Sequence, residues 1–571
     1  MALKKEIISE LRKYAIKNAM DYGKARVENV LAKVARSVPK ESVNELKLEA
    51  KRVVDEINSL SKEELGREYS AYEAEFERQY EMKVEATSKP RMELDGAARG
   101  SFSTRFAPEP SGYLHIGHAS AAFLAKEFAR IYDGKAFLYF DDTNPEKEKQ
   151  EFVDAAKSDL EWLGIKFDKE YYASDNMEAI YECARKLIKL GKAYACECAG
   201  ETIKSDRFEG KECAHRNAGP EENSEKFESM LQNRYDEERI VLRIKGDMKS
   251  QNTALRDPTI MRVKKHAHYR QGTKYVVWPT YDFNTPINDS MFGVTDAIRT
   301  KEYELRGALY DMVLDYLQMR RPSMHLHGRI SIKGQPRQKR EIRALVSDGL
   351  LSGFDDPRLV TIAALRRRGV RPSAIKEFVL GFGMSITDSV VDIGSLMSCN
   401  KRIIDGEARR LYYVPAPVDL EVKGLMQRDV EIRLHPSIDM GARKYTVRNS
   451  LYISGDDASS VKDGDILRLK ELFSVSVSRE DDSLKGEITD REPERRVQWV
   501  CDGNYLKCRI LVPDAPLDDE GRFRKDSLRV NEGYIESYAS SLREREIVQL
   551  ERFGFCILDD KERMQFIFIS K

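Results

Sequence analysis

The stretch Arg105-Phe-Ala-Pro108-Glu-Pro-Ser-Gly-Tyr-Leu-His115-Ile-Gly117-His118 carries a short extended run into the start of a helix. Pro108, Pro110 and Ser111-Gly112 interrupt any regular element, and Ala119, Ala122, Phe123 and Ala129 follow with the apolar recurrence of a helix. Unpaired N–H groups at a helix start favour an anion, so the corner reads as a phosphate site. Gly117 lacks a Cβ and leaves room for a purine or ribose against the backbone. His115 and His118 share one face and can donate hydrogen bonds to a phosphoryl oxygen as charge moves toward a leaving group. A loop with two surface histidines is the plain alternative.

Outward from this corner, residues 101–330 alternate strands and helices, as in a parallel doubly wound sheet. Lys135-Ala-Phe-Leu-Tyr-Phe140 is a compact strand ending in Asp141-Asp142-Thr-Asn-Pro145, which sets carboxylates at the edge where such sheets bind ligands. Trp278-Pro-Thr-Tyr281 and Gly293-Val-Thr-Asp-Ala-Ile-Arg299 add a polar-tipped aromatic and a guanidinium. Cys196-Glu-Cys198 and Cys213-Ala-His215, separated by fourteen residues, offer three thiolates and an imidazole. That set suits a tetrahedral zinc ion, with reduced thiols in a connecting segment as the alternative.

The 571 residues are enough for several domains, and 41% hydrophobic with 34% charged residues describe a rather polar globular chain. No apolar run approaches the length that spans a bilayer, and Met1-Ala-Leu-Lys-Lys-Glu-Ile opens an amphipathic helix and not a signal peptide, so a cytoplasmic protein is expected. Lys plus Arg and Asp plus Glu are both 96, so a nucleic-acid partner needs a locally basic face. Lys264-Lys265 with His266 and His268, Arg337 through Arg340, and Arg366-Arg367-Arg368 are the clusters; singly, each is expected to be a solvated face.

Residues 1–98 read as a helical N-terminal domain. Leu3, Ile7, Leu11 and Ala15 share one face, Val43, Leu46, Ala50, Val53 and Ile57 another, and Ser61-Lys-Glu-Glu64 is a capping box. Docking of RNA or of another protein, and simple packing on the body, are both open for it. Ser88 to Gly100 reads as a linker. After Asn400 the texture changes to short β runs, Ile466–Leu469, Phe473–Val477, Val497–Trp499 and Phe566–Ile569, which predict barrels over 401–571.

Residues 105–118 resemble the HIGH signature of class I aminoacyl-tRNA synthetases in its glutamyl and glutaminyl form, and Phe140-Asp-Asp-Thr-Asn-Pro-Glu-Lys-Glu148 resembles that branch's second block. The resemblance implies that Asp141 holds the amino group of the amino acid, that Tyr281 walls its pocket, and that Arg105 and Arg299 meet its carboxylates. The position of Arg299 is typically cysteine in the glutaminyl branch, so the arginine favours glutamate over glutamine. Gly334-Gln-Pro-Arg-Gln-Lys339-Arg340-Glu-Ile342 aligns with the mobile KMSKS block. Only Lys339 falls on the key lysine; Gln338 and Arg340 replace both serines, and Arg337 and Arg340 are read as substitute phosphate contacts. Two further departures are Asp296, where the family usually has His, and Tyr139, where it commonly has Arg. Similar C-x-C and C-x-H groups recur in glutamyl enzymes, which favours a structural zinc on Cys196, Cys198, Cys213 and His215.

Gly353-Phe-Asp-Asp-Pro-Arg358 and Leu365-Arg-Arg-Arg-Gly369 resemble blocks of the helical region that joins catalytic and anticodon parts. With β-barrels beyond it, the chain resembles the archaeal and eukaryotic type of glutamyl-tRNA synthetase nearly end to end, leaning archaeal for want of long basic extensions. This implies six parts: a helical domain (1–98), the first half of a Rossmann-type core (99–175), an acceptor-binding insertion carrying the zinc knob (176–277), the second half of the core (278–330), a KMSKS-like loop and helical connection (331–400), and β-barrels that bind the anticodon (401–571). It implies a ligase that makes glutamyl-adenylate from L-glutamate and ATP with Mg²⁺, and then charges the terminal adenosine of tRNA-Glu, with or without tRNA-Gln. Pro108, His115, Gly117, His118, Lys339 and Arg340 form the expected ATP site, with His115, His118 and Lys339 acting in the chemistry. A glutaminyl enzyme and a non-catalytic, synthetase-like RNA-binding protein are the alternatives.

Overall fold

A computed structural model describes residues 5–22, 24–34, 43–70, 72 and 92–571, apart from 337, 449, 481, 482 and 494. The chain divides into two compact units, residues 1–90 and 91–571. In the first, helices α1 (Lys5–Tyr22), α2 (Val27–Val34), α3 (Val43–Asn58) and α4 (Lys62–Ser70) close around Leu11, Ala15, Leu46, Ala50, Val53 and Ile57, the residues that the periodicity selects. The predicted Leu3 lies outside the described residues, as do residues 88–91 of the predicted linker. The capping box forms: Ser61 N donates to Glu64 Oε2 at 2.9 Å, and Glu64 N donates to Ser61 Oγ at 3.3 Å. Residues 92–98 are not a linker. Leu94 is buried with Phe102 and Phe128, and its N–H donates to Tyr132 Oη at 2.8 Å.

The second unit begins with β1 (Ser103–Phe106), α5 (Ile116–Ile131), β2 (Lys135–Phe140) and β3 (Lys169–Tyr172), a three-stranded parallel sheet in the order β1-β2-β3. β1 is buried throughout and β2 in all but its first residue, as both-sided helix cover requires. Next come β4 (Ala193–Cys196), β5 (Val241–Ile244), β6 (Thr259–Val263) and β7 (Val277–Pro279), a four-stranded antiparallel sheet with its own core around Trp278 and Phe227. The expectation of one parallel sheet over 101–330 fails here, because hairpin pairing replaces crossover connections. The chain re-enters the core through α6 (Tyr281–Met291), β8 (Asp296–Thr300), α7 (Glu304–Leu317) and β9 (Ser323–His327), with β8 and β9 parallel. Thr295 N donates to Ser103 O at 2.9 Å, so β8 starts beside β1. Strand order thus runs outward from β1 to β3 on one side and from β8 to β9 on the other, and a crevice opens at this switch point.

Four helices follow, α8 (Lys339–Ser347), α9 (Ile362–Arg367), α10 (Pro372–Leu380) and α11 (Ile393–Ile404). Among the described residues the C-terminal part holds two seven-stranded sheets and a two-stranded antiparallel ribbon, Arg428–Arg433 with Ala442–Val447. In one, the edge strands are Arg409–Leu411 and Tyr413–Pro415; in the other they are Arg495–Val497 and Val500–Cys501. Each pair of edges is consecutive in the chain, so each sheet curls round on itself as a barrel. Of the predicted strand Val497–Trp499, Val497 ends one of these edge strands and only Gln498 and Trp499 form the break between the two. The barrels are tied by the buried Arg443 Nε–Glu536 Oε1 pair at 2.8 Å and by Arg552 on Asp457 at 2.7 Å. Arg366–Arg368 are not simply a solvated face: Arg367 pairs with Asp559 at 2.9 Å, and buried Arg368 donates to Ile569 O.

Candidate active site

The helix starts at the histidine corner, where the sequence places it. His115 is the N-cap of α5, its Nδ1 accepting from Gly117 N at 3.1 Å, and His118 Nδ1 accepts from His115 N at 3.2 Å. Both Nδ1 atoms are acceptors, so a neutral ring carries its proton on Nε2, the atom free to donate to a ligand. Burial, with Lys339 nearby, pushes His115 down to about 4, and burial with His115 and Lys339 takes His118 well below its usual value. Two neutral donors therefore stand at a helix start. An added Cβ at Gly117 would stand 2.9 Å from His115 Cε1, so the missing side chain also leaves room for that ring.

The loop before the corner ties the strands together. Pro108 O accepts from Asp141 N at 3.2 Å, which places the ends of β1 and β2 side by side. Lys339, first residue of α8, reaches the same loop, its Nζ donating to Ser111 Oγ at 3.3 Å. Burial lowers its pKa, with Glu109 pulling the other way. Arg340 beside it is exposed, and Arg337 lies outside the described residues.

Asp141 is buried at the end of β2, where its Oδ1 accepts from Asn284 Nδ2 at 2.6 Å. Burial, with Glu109 and Asp142 close by, pushes it up to about 8. Asn284 and Asn288, four apart on α6, both donate to Tyr139 Oη at 2.9 Å, so Tyr139, in the place of the family's arginine, is a hydrogen-bond hub. Asp296, the other departure, meets His325 Nε2 at 2.7 Å.

Arg105 and Arg299, only 5% and 6% exposed, converge on one carboxylate that the sequence reading missed. Arg105 donates from Nε and Nη2 to the two oxygens of Asp289 at 2.9 and 3.1 Å; Arg299 Nη2 donates to Asp289 Oδ2 at 3.1 Å. Tyr310 Oη also donates to Oδ2, at 3.1 Å. Arg299 Nη1 donates to Tyr281 Oη at 2.6 Å, its guanidinium lies 4.1 Å from the Tyr303 ring centroid, and its Nε is buried without a partner. Two guanidiniums against one carboxylate leave one positive charge in a buried, aromatic-walled pocket. Asp289 and Tyr310 gave no motif, and Tyr303, four residues beyond Arg299, was given no role; the helical spacing of Asn284 and Asn288 beyond Tyr281 was the available signal.

Away from this crevice, Cys196, Cys198, Cys213 and His215 come together with their ligand atoms within 4.8 Å of one another. Cys196 Sγ and Cys213 Sγ are 3.6 Å apart, Cys198 Sγ and Cys213 Sγ 3.4 Å, and His215 Nδ1 lies 3.2 and 3.5 Å from Cys213 and Cys198. Ligands at about 2.3 Å (S) and 2.0–2.1 Å (N) around a tetrahedral zinc are about 3.5–3.8 Å apart, so the cluster fits that ion closely.

The model for the catalytic domain of class I tRNA synthetases (E and Q) matches residues 101–405, and two models for their anti-codon binding domain match 408–494 and 496–559. The chain is 38% identical to a glutamate–tRNA ligase of Nitrosopumilus maritimus over 98% of this chain and 99% of that one. It is 37% identical to one of Thermococcus kodakarensis over 99% and 100%. A solved glutamate tRNA ligase of Elizabethkingia meningosepticum, in complex with its amino acid, is 17% identical with a TM-score of 0.38, over 53% of this chain and 70% of that one. With its catalytic and both anticodon-binding regions matched in order, and end-to-end similarity to archaeal glutamate–tRNA ligases, the chain belongs to the class I aminoacyl-tRNA synthetases of the E and Q group.

Proposed function

We propose that the chain is a glutamate–tRNA ligase that activates L-glutamate with ATP and transfers it to the terminal adenosine of tRNA-Glu, in the cytoplasm. The single observation that carries the choice of glutamate is the pocket charge. Asp289 satisfies one of the two guanidiniums, Arg105 and Arg299, and the side-chain carboxylate of glutamate supplies the second negative charge. Glutamine is nearly isosteric but brings no charge, and a buried guanidinium left poorly paired costs several kcal/mol. Its relatives named glutamate–tRNA ligase support the same reading.

In this reading Asp141 ionises to hold the substrate ammonium, and the α-carboxylate attacks the α-phosphorus of ATP. His115 and His118 donate from Nε2 to the phosphates, and Lys339 offsets charge on the departing pyrophosphate. Mg²⁺ travels with ATP and neutralises phosphate charge. Pro108 and Gly117 shape the nucleotide wall, and Arg340 is a further phosphate contact. Cys196, Cys198, Cys213 and His215 hold a structural zinc in the insertion, which takes the acceptor end, while the barrels take the anticodon. No helix among the described residues is long and apolar enough to cross a membrane. The test is ATP–pyrophosphate exchange with tRNA present: exchange that requires glutamate supports the reading, and no exchange with either amino acid would favour a non-catalytic RNA-binding protein.

A further inference from the structure

Both serines of the loop string that Gly334–Ile342 resembles are absent, and its last lysine is Glu341, yet Lys339 is held firmly at the phosphate corner. Its aliphatic stem crosses Gly112 so closely that an added Cβ there would stand 2.8 Å from Lys339 Cδ. Its Nζ donates to Ser111 Oγ at 3.3 Å. One helical turn later, Arg343 Nη2 donates to Ser111 O at 2.7 Å, and its guanidinium lies 5.8 Å from the Phe152 ring centroid. Residues i and i+4 share a helix face, so Lys339 and Arg343 grip the same residue from the same side of α8. Between them Ile342 packs into a core with Leu351, Leu359 and Ala364, and Gln338 and Glu341 cap the helix start. The replacement residues Gln338 and Arg340 are exposed, and Gln338 N donates to Glu341 Oε2 at 3.4 Å.

We infer that Arg343 is a positioning residue for amino-acid activation: by clamping α8 to the Ser111 carbonyl it seats Lys339 across Gly112. The inference rests on the activation chemistry proposed above. A guanidinium–carbonyl bond is charge-assisted and worth about 1.5–3 kcal/mol, or about 10- to 150-fold in rate.

The experiment is tRNA-dependent ATP–pyrophosphate exchange by the full chain and its variants. Arg343→Gln is expected to lower kcat about 10- to 100-fold with KM for glutamate unchanged, Arg343→Lys to restore part of the loss, and Gly112→Ala, which crowds the lysine stem, to reproduce it. Because Arg343 acts through Lys339, adding Arg343→Gln to Lys339→Ala should cost little more than Lys339→Ala alone. An Arg343→Gln enzyme with near-parental exchange overturns the inference, as does a loss that multiplies in full with that of Lys339→Ala. Thermal melting and tRNA binding of each variant separate misfolding from mispositioning. An inactive parent would instead overturn the function proposed above, and a fully active Lys339→Ala would overturn the role of that lysine.

Discussion

In the proposed pocket Arg299 and Asp289 set the choice of substrate, and only the first was legible. An arginine eighteen residues beyond Tyr281 matched a family position; Asp289 was an ordinary acidic residue until folding put its Oδ2 3.1 Å from Arg299 Nη2. Arg299→Gln removes the spare charge but leaves Asp289 and Arg105 paired, so the fold should hold while kcat/KM for glutamate falls about 10²–10⁴-fold. Steady-state exchange kinetics beside a thermal melt will check both halves. Asp141 carries a second prediction at this scale. Its carboxyl is raised to about 8 by burial and by the nearby Glu109 and Asp142, so below that pH it is protonated and cannot bind an ammonium. Activity at low glutamate should therefore climb about tenfold per pH unit toward a plateau above about pH 8, and Asp141→Asn should abolish that limb along with most activity. Burial of this kind depends on Tyr139, Asn284 and Asn288 closing over the carboxyl, which no residue pattern announces.

At the scale of elements, the strands and helices that carry the chemistry were readable because their patterns are local. β2 occupies the six residues that its apolar run marks, Lys135–Phe140, and α5 starts at the histidine corner. The insertion was not readable as antiparallel, since the pairing of β4 with β5 bridges residues 193–196 and 241–244, and composition does not encode direction. Its metal cluster was legible as spacing alone. Purified chain is expected to carry about one zinc per molecule by elemental analysis, and Cys213→Ser to lose it with a lower melting temperature while Arg299-dependent selection of glutamate persists. Full zinc content in that variant would remove Cys213 from the shell. α8 was the least legible element, because its family string is degraded. What places it is tertiary contact with Ser111, together with the buried Ile342.

For the whole molecule, domain order followed from motifs strung along the chain, whereas closure of the barrels depended on which edges meet. The sequence marked short strands but not that Arg409–Leu411 and Tyr413–Pro415, one residue apart, are opposite edges of one sheet. The N-terminal helices enclose their own core of Leu11, Leu46, Val53 and Ile57, so residues 1–90 expressed alone should give a helical circular-dichroism spectrum with a cooperative melt, and residues 91–571 should keep glutamate-dependent exchange. Failure of the longer piece to catalyse would assign the helical unit a part in the reaction. The proposed function joins a pocket that reads charge to barrels that read RNA. Its most direct test is charging of total tRNA by the purified full chain with labelled glutamate and, separately, labelled glutamine. Incorporation of glutamate alone is the predicted result, and incorporation of glutamine would contradict the pocket built on Arg105, Asp289 and Arg299.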